Sequence, residues 1–248
     1  MRVLVVTSQK GGSGKTTLAG HLAVQAQLRD FAPVVMVDAD PQGSLAAWWN
    51  VRAATSPGFV RTTIARLLHD LEELRLGGTR LVVIDTPPAV TGTIRSVVAH
   101  ADLVLIPTRP SPHDLRAVAA TLDIVEGRDR PFVFVVNGAT PKARITSDAA
   151  IALSQHGTVA PVTIHHRNDF ASSMIDGRTV MECNPGSKST EEIAGLWSYV
   201  AERLQRVRPH PVAVQGVERP AFGRLDTQSA ALEAAPSGGF GRRTFASL

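Results

Sequence analysis

The chain has 248 residues, of which 44% are hydrophobic, and it carries a formal net charge of +4 at pH 7. This length and hydrophobic content predict one α/β domain with appendages, and the small excess of basic charge favours nucleic acid or an anionic membrane only weakly. The single cysteine, Cys183, excludes an internal disulfide and favours a reducing cytoplasm, and no apolar run approaches the ~20 residues of a membrane span.

Predicted strands and helices alternate along the chain. The first strand begins at Arg2, so we expect no signal peptide ahead of it. Most apolar runs are continuous, which is typical of parallel strands buried on both faces. They cover residues 3–6, 34–37, 81–84, 103–106, 132–136 and 159–164. Helical patterns cover residues 15–29, 64–76, 113–125, 147–155 and 190–206. This alternation predicts a doubly wound, mostly parallel sheet flanked by helices.

A glycine-rich loop joins the first strand to the first helix. Residues 9–17 read QKGGSGKTT. Glycines let successive backbone N–H groups turn toward one point and cradle phosphate oxygens. The strict P-loop pattern would have glycine in place of Gln9, but the core from Gly12 to Thr16 is complete. We expect Lys15 to reach the β- and γ-phosphates and the Thr16 hydroxyl to bind Mg²⁺.

A second lysine stands at the start of this loop. Lys10 cannot easily fold back onto phosphates that its own loop encloses, but it could reach a nucleotide held by a facing subunit. A solvated surface lysine is the alternative interpretation. The chain has lysine only at positions 10, 15, 142 and 188, and two of these four lie in one short loop. That clustering favours a functional role for Lys10.

These motifs together resemble the ParA/MinD family of deviant Walker A P-loop ATPases. The stretch KGGSGKTT resembles the family's deviant Walker A box. Further motifs follow in the family's order, at residues 35–44 (VMVDADPQGS), 81–88 (LVVIDTPP), 107–115 (PTRPSPHDL), 134–137 (FVVN) and 186–193 (GSKSTEEI). The match spans residues 1–206, and the Asp-Pro-Gln-Gly box points to the ParA (partition) branch, in its small type without an N-terminal DNA-reading domain.

The resemblance implies a P-loop ATPase that uses ATP and Mg²⁺. Asp85 ends a buried strand, where a carboxylate is costly unless a cation or donors meet it, so Mg²⁺ is its natural partner. Asp38 is assigned to the outer shell of the metal, and Asp40, which shares a face with it on extended chain, to the attacking water. The implied catalytic residues are Lys10, Lys15 and Asp40; the metal residues are Thr16, Asp38 and Asp85; the nucleotide residues are Lys10, Gly11, Gly12, Ser13, Gly14, Lys15, Thr16, Thr17 and Asn137, the last at the adenine.

The resemblance also implies partners. Lys10 would act on the ATP of a second copy, and Gly11 would lie where the two loops of this homodimer approach closely. The dimer would bind DNA without sequence preference through salt-sensitive phosphate contacts. Candidate contacts are Arg167, Arg178, Lys188 and Arg203, each of which could equally be a solvated charge. A ParB-like partner on a cargo (plasmid, chromosome region or protein assembly) would stimulate hydrolysis, and the protein would be cytoplasmic and nucleoid-associated.

Several alternatives compete with this interpretation. A MinD-like membrane-surface ATPase is the main one, but residues 240–248 are short and glycine-interrupted for an amphipathic anchor, so we do not expect membrane binding. A synthase on the related dethiobiotin-synthetase fold is disfavoured by Lys10 and by the box at 38–42. Adjacent residues on a strand point to opposite faces, so His165 and His166 are not expected to hold one metal ion. Residues 1–207 are predicted to form the ATPase domain, and residues 208–248, rich in proline and glycine, a mostly disordered tail.

Overall fold

The computed structural model describes residues 1–88 and 92–207. The strands are β1 (Arg2–Val6), β2 (Val34–Asp38), β3 (Gly58–Val60), β4 (Leu81–Asp85), β5 (Leu103–Thr108), β6 (Phe132–Ala139) and β7 (Ile164–His165). They form one sheet in the order β3-β2-β4-β1-β5-β6-β7, in which each neighbouring pair is parallel. The predicted doubly wound parallel sheet is confirmed.

Helices connect the strands and cover the sheet. In the described part of the chain they are α1 (Lys15–Leu28), α2 (Ser44–Asn50), α3 (Leu67–Leu76), α4 (Gly92–Val98), α5 (Pro112–Glu126), α6 (Arg144–Ser154), α7 (Asn168–Met174), α8 (Val180–Cys183) and α9 (Lys188–Arg206). Helix α5 has a side-chain cap, because the Ser111 hydroxyl accepts a hydrogen bond from the Asp114 N–H at 3.1 Å. This cap holds the start of α5 directly after β5.

The core lies on both faces of the sheet. Along β1, Leu4 packs into the cluster formed with α1 and α9, while Val5 packs into the cluster formed with α3, α4 and α5. Both side chains are fully buried, with no exposed surface. Burial on two faces explains why the central strands are continuous apolar runs rather than alternating ones.

The order of the strands places the phosphate loop at the centre of the sheet. Strand β1 lies between β4 and β5, and Val6 pairs in register with Asp85 of β4. The chain leaves β1 toward β2 on one side and later returns to β5 on the other. In open parallel sheets ligands bind at such a reversal, outside the carboxyl ends of the strands. The ends of β1, β2, β4, β5 and β6 therefore all face one site.

The structure differs from the predicted elements mainly in the outer half of the sheet. Instead of a strand over 159–164 there is an isolated bridge between Val159 and Phe134, followed by the two-residue strand β7. Pro161 lies between them and has no N–H for the ladder, which interrupts the pairing. The short elements β3, α2, α4, α7 and α8 were not predicted, because so few residues carry no clear hydrophobic period.

The predictions about the end of the chain concern residues that the structure does not describe. The tail of residues 208–248, including the segment 240–248 considered as an anchor, lies outside the described residues. Among the described residues, no helix is both long enough and apolar enough to span a bilayer.

Candidate nucleotide-binding site

The phosphate loop lies between β1 and α1 and is shaped by glycines. Gly12 and Gly14 have φ angles of +74° and +91°, in the left-handed region that a side chain disfavours. Gly14 also has no room for a side chain, since a Cβ there would collide with the amide of Asn137. Lys15 follows as the first residue of α1, so the loop opens onto the positive end of that helix.

Lys15 is held inside the loop. It is 7% exposed, and its Nζ donates a hydrogen bond to the carbonyl oxygen of Lys10 at 3.4 Å. Burial lowers the pKa of the Lys15 ammonium below its ordinary value, and the negative charges of Asp85 and Asp40 oppose that shift. The loop therefore carries a poorly hydrated cation with two carboxylates in electrostatic reach. Such a cation is suited to binding phosphate oxygens.

Thr16 and Asp85 meet at the carboxyl ends of the sheet. The Thr16 hydroxyl donates to Asp85 Oδ2 at 2.5 Å, and the Thr86 N–H donates to Asp85 Oδ1 at 3.0 Å. Asp85 is 1% exposed. Burial raises the pKa of Asp85 to about 7; the hydrogen bond from Thr16 opposes this shift and the neighbouring charge of Asp38 adds to it. Because its negative charge is poorly compensated, Asp85 is suited to a cation.

The oxygen atoms near Asp85 fit Mg²⁺. Asp38 ends β2 and pairs in register with Asp85 on β4, so two carboxylates and the Thr16 hydroxyl come together. Hydroxyl and carboxylate oxygens are hard ligands of the kind that Mg²⁺ takes alongside nucleotide phosphates. Thr16 and Asp85 would hold the ion, and Asp38 would lie beside it. When bound, Mg²⁺ neutralises phosphate charge.

The carboxylate of Asp38 also organises the loop that follows β2. Its Oδ1 accepts the N–H of Asp40 at 3.0 Å and its Oδ2 accepts the N–H of Ala46 at 2.9 Å. Asp40 lies beyond the strand, and its own Oδ1 accepts the N–H of Gln42 at 2.9 Å. Because β2 ends at Asp38, the two residues do not lie on one extended strand, although both border the same cavity. Asp40 is positioned by a turn instead.

Asn137, the residue predicted at the adenine, is tied to the phosphate loop. Its Nδ2 donates to the carbonyl oxygen of Ser13 at 2.6 Å, and the residue is 8% exposed. It stands at the end of β6, where the register with β7 shifts between Asn137 and Ala139. The structure thus brings Asn137 to the same edge as Lys15 and Asp85, and its amide braces the loop.

Lys10 and Gly11 form the outer lip of the loop. Both are exposed, and within the described part of the chain the Lys10 ammonium has no hydrogen-bond or ion-pair partner. A Cβ built on Gly11 would have no atom within 4 Å. Nothing in the described chain itself restricts position 11 to a small residue, so any steric demand there comes from a molecule that approaches the lip.

The four basic residues predicted to contact DNA are dispersed. Arg167 donates to Glu192 at 2.7 Å, an acceptor shared with the ring of His165 at 2.8 Å, so its charge is already paired. Burial would raise the pKa of Glu192, but hydrogen bonds from Arg167 and His165 hold it below its ordinary value. His165 therefore shares the Glu192 carboxylate with Arg167, and no candidate metal cluster among the described residues includes His165.

The remaining three candidates have different surroundings. Arg178 pairs with Asp176 at 2.7 Å, and Lys188 begins α9 with its side chain exposed. Arg203 lies over the ring of Tyr199 at 5.1 Å. Glu192 and Arg203 are eleven residues apart on α9, which is about 16 Å along a helix. Arg167 and Arg203 thus belong to opposite ends of that helix.

Sequence reasoning missed one basic residue at the loop. Arg109 follows β5, and its guanidinium nitrogens would be 3.9 Å from a Cβ built on Gly12. The stretch containing Arg109 resembles a family motif, but that resemblance assigns no role to the residue. Its only signal in the sequence is its place directly after a central strand.

Comparisons with known proteins identify a nucleotide-binding domain. The model of the CobQ/CobB/MinD/ParA nucleotide binding domain matches residues 4–180. The maintenance of carboxysome distribution protein A of Gloeobacter kilaueensis is 46% identical over 124 residues, which are 49% of this chain and 55% of that protein. The protein of the same name from Halothiobacillus neapolitanus is 26% identical over 76% of this chain and 91% of its own length.

A solved structure shares the fold. The MinD cell division protein of Aquifex aeolicus superposes with a TM-score of 0.68 at 18% identity, over 82% of this chain and 97% of that chain. The alignment with the Gloeobacter relative spans only about half of that protein. The family model, in contrast, covers most of the chain, from β1 through α7 to the first residue of α8. The chain therefore belongs to the CobQ/CobB/MinD/ParA nucleotide binding domain family, and the ParA/MinD resemblance predicted from its motifs is confirmed.

Proposed function

We propose that residues 1–207 form an ATPase that dimerises on binding ATP and Mg²⁺, and that the dimer binds DNA without sequence preference. A cargo-bound, ParB-like partner stimulates hydrolysis, and repeated cycles position the cargo in the cytoplasm on the nucleoid. The names of the two carboxysome-distribution relatives favour a large protein assembly as the cargo over a plasmid.

One observation carries the dimer part of this proposal. Lys10 is exposed on the lip of the loop and has no partner in the described chain, while Lys15 of the same loop is buried. Two lysines of one loop thus have opposite environments. The buried one serves the nucleotide of its own subunit, and the exposed one is free to serve the nucleotide of a facing subunit. Open space at Gly11 leaves room for that subunit to approach.

The chain's own groups support ATP hydrolysis once the nucleotide is bound. In phosphoryl transfer charge develops on the γ-phosphoryl and bridging oxygens, so cations aimed at those oxygens lower the barrier. Lys15 supplies one cation from within the loop and Lys10 a second from the partner. Asp40, held by its turn beside Asp38, orients the attacking water. The need for a second subunit makes turnover depend on dimerisation.

The proposal is tested by light scattering of the full-length protein with ADP or a non-hydrolysable ATP analogue. We expect a dimer only with the ATP analogue. Lys10→Gln should leave analogue binding within about threefold of wild type and abolish stimulated hydrolysis, since an in-trans cation contributes on the order of 10³-fold or more to rate. Gly11→Val should bind the analogue as a monomer.

Lys142→Gln is the matched control for Lys10→Gln, because Lys142 is also exposed but lies outside the loop. It should behave as wild type in both assays. A wild-type protein that stays monomeric with the ATP analogue, or a Gly11→Val variant that dimerises normally, would contradict the proposal. The DNA part fails separately if the wild-type dimer does not retain DNA at low salt.

A further inference from the structure

Arg109 lies at the edge of the phosphate loop. It lies between the end of β5 and the cap of α5, and its carbonyl accepts the N–H of the capping residue Ser111 at 2.8 Å. Its stem lies on Gly138, where a built Cβ would be 3.7 Å from Arg109 Cγ and 3.6 Å from Nε. Gly138 has a φ of +65° and lies in the irregular end of β6. The Arg109 stem therefore packs against backbone that carries no side chain.

The guanidinium ends beside the phosphate loop without a partner. A Cβ built on Gly12 would be 3.9 Å from both terminal nitrogens, Nη1 and Nη2. Arg109 is exposed, and it makes no side-chain hydrogen bond or ion pair with residues 1–88 or 92–207. The five N–H donors of this guanidinium can therefore bind an acceptor on another molecule.

None of the described carboxylates forms an ion pair with Arg109. Asp38 accepts two backbone N–H groups, and Asp85 accepts Thr16 and Thr86. Asp114 accepts the Ser111 hydroxyl at 2.5 Å through Oδ2, and its Oδ1 is buried without a hydrogen-bond partner. The loop itself adds an unsatisfied group, because the Ser13 hydroxyl is buried and has no hydrogen-bond partner. Both free groups border the place where a P-loop cradles phosphate.

We propose that Arg109 is a nucleotide-binding residue whose guanidinium binds phosphate oxygens at the phosphate loop. The planar fork matches a phosphate group with two parallel hydrogen bonds, and no described carboxylate competes for it. This inference rests on the proposed function in that it requires a bound nucleotide. The phosphates can belong to the nucleotide of the same subunit or to that of the facing subunit, and the two sources predict different results.

The test compares Arg109→Ala and Arg109→Lys with wild type in the full chain. Arg116→Ala is the matched control, an exposed arginine on α5 that takes no part in the site. Fluorescent ADP measures binding within one subunit, and the dilution midpoint of the dimer with a non-hydrolysable ATP analogue measures contacts between subunits. A charge-assisted hydrogen bond corresponds to a change of roughly tenfold or more.

If the phosphates belong to the same subunit, Arg109→Ala weakens ADP binding about tenfold or more, and Arg109→Lys recovers part of it because lysine keeps the charge but not the fork. If they belong to the facing subunit, ADP binding is unchanged and the dimer midpoint rises by a similar factor. The free energy of unfolding in urea should be the same for Arg109→Ala as for wild type, since the guanidinium is exposed.

The inference is overturned if both ADP affinity and the dimer midpoint of Arg109→Ala stay within twofold of wild type. It is also overturned if Arg116→Ala shows the same losses, because the effect would then be one of overall charge. A wild-type protein that binds ADP but never dimerises refutes the proposed function alone, and the ADP measurement then decides the role of Arg109. A wild-type protein that binds neither nucleotide overturns both.

Discussion

At the scale of single residues, the surroundings of one carboxylate, Asp40, lead to a prediction about binding and hydrolysis. Thr16 and Asp85 contact each other in the site, whereas the Asp40 carboxylate accepts the N–H of Gln42 in its own turn. Within the described chain no hydrogen bond joins the Asp40 side chain to the loop or to the Thr16–Asp85 pair, and it acts on Lys15 through its charge. Binding and catalysis are therefore expected to respond differently to its removal.

We predict that Asp40→Ala keeps ATP binding and the ATP-dependent dimer while slowing hydrolysis about 100-fold or more, as expected for a group that positions or deprotonates water. Phosphate release and light scattering on the same samples measure the two properties. Asp123→Ala, which removes an exposed carboxylate on α5, is the control and should hydrolyse normally. Normal turnover in Asp40→Ala would remove Asp40 from the mechanism.

A second residue, His21, connects the first helix to α8 as a neutral ring. Its Nδ1 donates to the Thr17 carbonyl at 2.8 Å, and its Nε2 accepts the Val180 N–H at 3.2 Å. Burial lowers the pKa of His21 from 6.5 to about 4, while the hydrogen bond to Thr17 and the charge of Glu182 oppose that shift. Protonation would place a second proton on Nε2, where the Val180 N–H already points.

This environment predicts that His21 by itself lowers the stability of the folded protein in mild acid. Between pH 7 and 5 the unfolded chain takes up a proton at position 21 while the folded protein does not, so this group should lower the free energy of unfolding by about 2 kcal/mol. Asp85 acts in the opposite direction, because its raised pKa lets the folded protein take up a proton there first. Urea unfolding of wild type and His21→Leu at both pH values isolates the His21 contribution as the difference between the two proteins. An NMR titration showing His21 with an ordinary pKa in the folded protein would refute the prediction.

At the scale of elements, a buried ion pair joins α2 to α8. Arg52, just after α2, donates from Nη1 and Nη2 to Glu182 at 2.9 and 2.6 Å, and its side chain is 3% exposed. Burial would raise the pKa of Glu182, but hydrogen bonds from Arg52 and Thr179 hold it below its ordinary value. Glu182 also completes the capping box of α8 with Thr179. The loop that carries Asp40 is thus connected through α2 to the segment after β7.

We predict that Arg52→Met lowers the free energy of unfolding by about 3 kcal/mol, because it leaves Glu182 without its main partner in a mostly buried place. Arg75→Met is the control: Arg75 and Glu72 form an exposed pair on α3, and its loss should lower stability far less than the loss of the Arg52–Glu182 pair. Urea unfolding measures both. Equal losses of unfolding free energy in the two variants would show that the Arg52–Glu182 pair stabilises the fold no more than an exposed pair does.

At the scale of the whole molecule, the residues predicted to bind the nucleotide and those predicted to bind DNA lie in different places. The predicted nucleotide-binding groups converge on the carboxyl ends of the central strands, whereas Arg203 lies about 16 Å along α9 from Glu192, the ion-pair partner of Arg167. Arg203 borders a cavity with Phe132 and His156, near the start of β6 and therefore toward the opposite edge of the sheet. A DNA contact that used both arginines would have to run along α9 rather than across the mouth of the nucleotide site.

We predict that Arg167→Gln combined with Arg203→Gln leaves ATP-dependent dimerisation intact and weakens DNA retention. The salt slope of binding should fall by about one for each DNA phosphate that no longer meets an arginine. Glutamine is used because a glutamate at position 167 would face Glu192. The single variants show which end of α9 contributes. Unchanged DNA affinity and slope in the double variant would place the DNA surface elsewhere.

The sequence by itself determined the nucleotide loop, the acidic residues that follow β2 and β4, the parallel sheet and the family. These features are local: a glycine spacing, a lysine beside it and continuous apolar strands can be recognised within about ten neighbouring residues. Asn137, in contrast, was predicted at the adenine because the stretch 134–137 (FVVN) resembles a family motif. Short elements such as β3 and α8 lacked enough residues to show a period.

Only the tertiary structure decided which distant residues meet. Arg109 reaches Gly12, Arg52 reaches Glu182 and His21 reaches Val180 across gaps of roughly 100 to 160 residues, through side-chain reach and helix packing that no local pattern encodes. The same packing separated Arg167 from Arg203, which looked equivalent in the sequence. The sequence gives the type and charge of each residue, but the residues that folding places beside a charge decide whether it is paired, buried or free.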